Sequence, residues 1–213
     1  MKIDPAPLSE RPLRFGVYGG TFDPPHIAHL VLAEEALAQL QLDKILWILT
    51  PFPPHKTQQA ITPLELRLEM LMAAIANQPA FELSRVDLDR PPPHYAVDTV
   101  RILRASHPGG ILAYLLGGDS LRDLPTWHQP DQFVGGCDLL GVMRRPGSAA
   151  DVGVLERRLP GITAKLHWIQ APLLEISASA IRLRIANGQP YRYFLPDPVY
   201  RLILKHGLYS GGI

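Results

Sequence analysis

The chain has 213 residues, which suits one large domain on the usual prior of about 100–200 residues per domain. Hydrophobic residues make up 46% and charged residues 19%, a balance that buries a core and excludes a disordered chain. Lys and Arg number 21 against 20 Asp and Glu, so bulk charge attracts neither nucleic acid nor a membrane, and the single Cys137 excludes an internal disulfide or a Cys-rich zinc site.

Residues 1–12 read as a loose leader, because Met1 to Leu13 mixes charges with three prolines and lacks the apolar stretch of a signal peptide. The main domain is then expected over 13–213. Phe15–Tyr18 is a compact apolar run ended by Gly19-Gly20, and reads as a buried strand. His26 opens a helix expected to continue through Leu40, and Lys44–Leu49 is the next strand. Thr62-Pro63-Leu64-Glu65 has the pattern of a capping box with proline at the first helical position. Leu64, Leu68, Leu71, Met72 and Ile75 then repeat at helical spacing until Asn77 to Pro79 stops them.

Further along, Phe81–Leu88 and Lys165–Ile169 are weaker strands, and Ile111–Leu116 and Asp138–Met143 are strong ones. A helix is expected from Ser177 to Asn187-Gly188. The last runs from Pro198 to His206, with Asp197 as N-cap and Gly207 just past its end. Strand–helix alternation of this kind predicts an α/β chain with a doubly wound parallel sheet covered on both faces. A small helical part follows from about residue 172. No apolar run approaches the ~20 residues of a spanning helix, and with no targeting signal the protein is expected in the cytoplasm. No exposed apolar helix stands out, so a homo-oligomer stays open.

The most informative segment is Gly19-Gly20-Thr21-Phe22-Asp23-Pro24-Pro25-His26-Ile27-Ala28-His29. Paired glycines let a backbone approach a ligand closely, and a helix N-terminus favours an anion such as phosphate. His26 and His29 lie three apart and share a face. Taken singly, a Gly-Gly turn is ordinary and a His-x-x-His pair is commonplace, while zinc would need two further ligands. The conjunction is far more specific than its parts.

This segment resembles the GG-x-F-D-P-x-H-x-G-H signature of the HxGH nucleotidyltransferase superfamily, and is most similar to the nicotinate-nucleotide adenylyltransferase family. Ala28 stands where that family has glycine; alanine suits a helix unless the backbone there needs a positive φ. The likeness runs nearly the whole length. It implies a Rossmann-like fold, with Gly19, Gly20, Thr21, Phe22, His26, His29 and Gly118 against ATP and with His26, His29 and Arg182 as catalytic residues. Lys56, in Pro53-Pro54-His55-Lys56, is implied near the phosphates of either substrate.

In Pro93-His94-Tyr95-Ala96-Val97-Asp98-Thr99, the resemblance places Tyr95 and Ala96 against the mononucleotide; Ala96 replaces the family's threonine and loses a hydroxyl. Gly117-Gly118-Asp119-Ser120 and Trp127 resemble the segment that holds the ribose and stacks on the pyridine ring, and Asp23 is also implied at the mononucleotide. Arg144-Arg145-Pro146-Gly147 matches a family turn. Ile176-Ser177-Ala178-Ser179-Ala180-Ile181-Arg182 matches a helix start, where Ser177, Ser179 and Arg182 surround the outer phosphates.

The implied activity is transfer of AMP from ATP to nicotinate mononucleotide, in NAD biosynthesis. Mg2+ would be carried mainly by the ATP phosphates and water, since no carboxylate cluster offers a protein cage. Two alternatives remain open: the same chemistry with nicotinamide mononucleotide, and a nucleotide-binding sensor domain without turnover. The 22 prolines, about twice the usual ~5%, gather in loops bordering these segments, where stiffness lowers the entropy lost on binding.

Overall fold

The computed structural model describes residues 11–52, 61–143, 151–172 and 174–210. Six strands, β1 (Arg14–Gly20), β2 (Lys44–Leu49), β3 (Phe81–Ser84), β4 (Ile111–Gly117), β5 (Leu139–Met143) and β6 (Leu166–Ile169), form one sheet in the order β3-β2-β1-β4-β5-β6. Every pairing is parallel. The helices are α1 (Ile27–Gln39), α2 (Leu64–Ile75), α3 (Ala96–Ser106), α4 (Gly118–Asp123), α5 (Pro130–Gly136), α6 (Val152–Arg158), α7 (Ala178–Ala186) and α8 (Asp197–His206). This is the expected Rossmann-like, doubly wound α/β fold.

The two-residue period of a strand divides the core. Phe15, Val17, Leu46, Ile48, Leu112, Tyr114 and Leu140 meet α3 and α5 on one face through Val97, Val100, Leu103, Phe133 and Val134. Tyr18, Ile45, Trp47, Ala113 and Leu115 meet α1 and α2 on the other, through Leu32, Ala33, Ala36, Leu71 and Ile75. A third cluster joins Met70 of α2 to Ile181 and Ile185 of α7 and to Val199 and Ile203 of α8, so the last two helices lean on the back of α2. Each such fully buried aliphatic side chain contributes about 1.5–3 kcal/mol. Cys137 is buried, and burial pushes its thiol up to about 12.

Several local expectations need correction. β1 runs on through Gly19 and Gly20, which pair with Ile48 and Leu49 instead of forming a turn. β3 stops at Ser84, because Asp87 turns inward to accept from Thr99 and Arg90. The Thr62 capping box does not form: Pro63 is the N-cap of α2 without a side-chain cap, and the Thr62 N–H donates to Asp23. Met72 is exposed and Met70 takes the inward place. At α8 the N-cap is Pro196, with Asp197 already in the first turn. Arg11, at the end of the supposed leader, forks onto the Asp43 carboxylate; residues 1–10 lie outside the described residues.

Sheet order sets the position of the site. From β1 the chain winds outward through α1 to β2 and β3, then returns to lay β4 on the other side of β1. Crossover helices diverge at this reversal, so a crevice opens beyond the carboxyl ends of β1 and β4.

Candidate active site

A cleft of about 710 Å³ occupies that crevice. Gly19, Gly20 and Thr21 at the end of β1 form one wall with His29 of α1, and Ile48 and Thr50 continue it. Tyr95, Ala96, Thr99, Asp119, Ser120 and Trp127 form the opposite wall. Four stretches of sequence, around residues 20, 95, 119 and 127, therefore meet in one cavity.

The glycines are required by the protein's own packing. Neither has a positive φ. A β-carbon at Gly19 would lie 2.7 Å from the Tyr114 hydroxyl, and one at Gly20 would lie 2.9 Å from the Phe22 ring. Tyr114 crosses beneath the strand end, and its burial pushes its phenol well above the usual tyrosine range, so the hydroxyl stays protonated. Phe22 is buried with φ of 47°, its ring edge-on to His29 at 5.1 Å. Phe22 thus supports the wall from behind.

His26 is the N-cap of α1 and is 1% exposed. Its ring stacks on that of His29 with centroids 3.6 Å apart, and its N–H donates to His29 Nδ1 at 3.1 Å. Of the two histidines only His29 reaches the cleft wall. With Nδ1 accepting, a neutral His29 carries its proton on Nε2 and is a donor there. Ala28 is an ordinary helical residue without a positive φ, so its methyl group replaces the family's glycine without strain.

Trp127 packs edge-on to Tyr114 at 6.5 Å and against Phe133 at 5.2 Å, which fixes the indole at the cleft edge. Tyr95 stacks on His128 at 4.1 Å and is the N-cap of α3. Ala96 is the first residue of that helix, where backbone N–H groups have no intrahelical acceptor. Asp119 pairs with Arg122 at 3.4 Å on the half-exposed start of α4, while Gly118 is buried beside it.

Ser177 caps α7 by accepting from the Ala180 N–H at 3.2 Å, and its hydroxyl lies 3.2 Å from that of Ser179. Arg182 Nη1 donates to the Asp23 carbonyl at 2.8 Å. Arg182 thereby braces the turn that follows β1, and none of the three lines the cleft. Asp23 is 3% exposed and does not line the cleft; its carboxylate accepts from Tyr209 and Thr62. Lys56 and Arg144-Arg145-Pro146-Gly147 lie outside the described residues.

Sequence reasoning missed three features. Asp87 accepts from the Thr99 hydroxyl at 2.7 Å and from Arg90, which also donates to the carbonyls of Pro93 and Tyr95 and so shapes the Tyr95 wall. His94 is buried on the cleft, and among the described residues neither ring nitrogen has a hydrogen-bond partner. Burial lowers its pKa, against the pull of Asp87 and with help from Arg90. Arg67 is 2% exposed and donates to the carbonyls of Thr21, Thr50, Pro51 and Thr62. Its position between Leu64 and Leu71 on the apolar stripe was the available signal. Among the described residues, no group of three or more His, Cys, Asp or Glu side chains is placed to hold a metal ion.

The cytidylyltransferase-like family model matches residues 17–184. The chain is 43% identical to the probable nicotinate-nucleotide adenylyltransferase of Thermomicrobium roseum over 196 residues, covering 92% of this chain and 91% of that relative. The namesake from Geobacillus thermodenitrificans is 39% identical over 197 residues, at 92% and 86% coverage. Among solved structures, the Plasmodium falciparum nicotinic acid mononucleotide adenylyltransferase complexed with NaAD superposes with a TM-score of 0.78 over 93% of this chain and 98% of that one. At 20% identity that likeness concerns the fold.

Proposed function

Since the chain belongs to the nicotinate-nucleotide adenylyltransferases of the cytidylyltransferase-like family, we propose that the cleft is the active site in which it joins ATP and nicotinate mononucleotide. The enzyme serves NAD biosynthesis: it transfers AMP to the mononucleotide, giving deamido-NAD and pyrophosphate. One observation carries the site assignment. The glycine-rich strand end with His29, and the aromatic wall of Tyr95 and Trp127, face one another across a single cavity at the reversal of the sheet.

The chemistry needs no general base. A phosphate oxygen of the mononucleotide, already anionic, attacks the α-phosphorus of ATP, and the bond from that phosphorus to the bridging oxygen breaks to release pyrophosphate. The barrier lies in bringing anions together and in stabilising the charge on the leaving group. The backbone N–H of Thr21, the Nε2–H of His29 and the N-terminus of α1 supply donors at one wall. His26 holds the His29 ring in place. Ser177, Ser179 and Arg182 flank the outer phosphates, with one of the five Arg182 N–H donors committed to Asp23.

Lys56, outside the described residues, is assigned as a further cation for the phosphates on the family resemblance alone. Trp127 and Tyr95 take the flat pyridine ring, the first amides of α3 at Ala96 and Val97 receive its carboxylate, and Asp119 takes a ribose hydroxyl. Mg2+ would enter with ATP, carried mainly by its phosphates and water, where it would offset charge on the phosphates. None of the described helices is long and apolar enough to cross a membrane, and we place the reaction in the cytoplasm. The main domain spans 13–213, with the helical part from about residue 172 built onto α2.

Parallel rate assays with nicotinate and nicotinamide mononucleotides, each with ATP and magnesium, test this reading. Faster pyrophosphate release with the nicotinate form supports it. Equal rates refute the preference, and no release with either leaves a nucleotide-binding domain without turnover.

A further inference from the structure

The turn from Thr21 to Asp23 is held from three directions by residues distant in sequence. Arg67 of α2 donates to the Thr21 carbonyl at 3.1 Å and ties it to the carbonyls of Thr50 and Pro51. Arg182 of α7 donates to the Asp23 carbonyl. The Tyr209 hydroxyl, 186 positions further along, donates to Asp23 Oδ1 at 2.6 Å, and the Thr62 N–H takes Oδ2 at 3.3 Å. Arg67 also faces Asp23, Tyr209 and Glu65 electrostatically.

Both ends of the Tyr209–Asp23 bond use unusual backbone. Phe22, beside Asp23, has φ of 47°, and Tyr209 has φ of 66°. L-residues enter that left-handed region at a cost and persist there when surrounding contacts over-determine the conformation. The hydroxyl is a dependable donor, because burial and the Asp23 carboxylate both push its pKa well above the ordinary tyrosine range. A phenylalanine would fill the same space, so packing alone does not account for a tyrosine here.

We propose that Tyr209 is a positioning residue for adenylyl transfer: through Asp23 it fixes the turn that sets Thr21 beside His29 on the phosphate wall of the cleft. In this assignment, which rests on the adenylyltransferase reading above, Asp23 is a keystone of the loop, and the segment after the last helix braces it from outside the cleft. Catalysis by placed donors is sensitive to sub-ångström displacement, which raises the barrier more than it weakens binding.

Tyr209→Phe tests the assignment. The expected result is a kcat lowered about tenfold or more, with the KM for ATP within about threefold of the parent. In the unliganded protein, backbone amides of residues 20–23 should exchange with solvent about tenfold faster. Ile203→Val removes one methyl group from the apolar cluster shared by α8, α7 and α2 without touching the hydroxyl, and should leave both readouts unchanged well below its melting temperature. Asp23→Ala combined with Tyr209→Phe should cost less than the product of the two single losses, since each single variant already removes the hydrogen bond between them.

Parental kcat in Tyr209→Phe, unchanged amide exchange, losses that multiply in the double variant, or matching effects in Ile203→Val each overturn the assignment. Amide exchange needs no substrate, so it judges the clamp independently. A parent protein inert toward ATP and nicotinate mononucleotide would instead overturn the adenylyltransferase reading.

Discussion

The backbone N–H of His26 donates to Nδ1 of His29 at 3.1 Å while the two rings stack 3.6 Å apart. This pairing divides the labour of the motif. One histidine is buried and orients; the other presents its far nitrogen to the cleft.

His29→Ala removes the presented donor and leaves a small gap beside Phe22. The expected outcome is a kcat lowered about 10²–10³-fold, the range for a single placed donor to developing charge, with a thermal midpoint within a few degrees of the parent. Steady-state rates beside a melting curve check it; near-normal turnover would rule out the assigned role.

Trp127→Ala should act on one substrate. Loss of a stacking partner worth about 0.5–1.5 kcal/mol predicts a KM for the mononucleotide raised up to about tenfold, with ATP binding nearly unchanged. Isothermal titration with each substrate separates the two effects, and equal weakening of both would remove Trp127 from the pyridine subsite.

Gly19→Ala places a β-carbon 2.7 Å from the Tyr114 hydroxyl. Overpacking of this kind costs about 1–3 kcal/mol. Since the clash involves one oxygen, Tyr114→Phe in the same chain should restore much of the lost stability. Denaturant melts of the two single variants and the double variant give the coupling directly. An additive double variant would show that the glycine answers to something else.

His94 predicts an acid limb in the stability profile. Burial and Arg90 depress its pKa while Asp87 opposes them, so the unfolded chain takes up a proton first as pH falls below about 6.5. Stability contributed above that pH is then lost as pH drops through the folded value. His94→Gln should flatten the melting-temperature profile between about pH 7 and 5. A parent and variant with parallel profiles would contradict it.

Much of this architecture was legible in the residues because the forces involved are local. Lys44–Leu49 and Ile111–Leu116 are apolar runs of strand length, and burial on both faces leaves them no alternation to show. Ser177 announced a helix start by its position alone and does cap α7. Boundaries failed where a distant partner intervened. Thr62 was read as a cap by local pattern, yet its N–H serves Asp23. The strand expected to reach Leu88 ends early, since Asp87 finds Thr99 and Arg90 on the far side of a turn.

The glycines show the division most clearly. Composition and spacing were sufficient to single out Gly19-Gly20 and the paired histidines as the place where an anion would sit. Their physical reason, a tyrosine on β4 and a phenylalanine in the following turn, depends on which strand lies beside β1. The sequence by itself determined the fold class and marked Gly19-Gly20 with the paired histidines as suited to an anion, because these follow from periodicity, helix polarity and residue type; the other site segments were implied by resemblance to a family. Only the tertiary structure decided which residues face the cleft and which stand behind it. Asp23 and Arg67 have side chains suited to ligands, and each is instead buried and held by its own chain, through partners as distant as Tyr209 and Thr21 that no local pattern encodes.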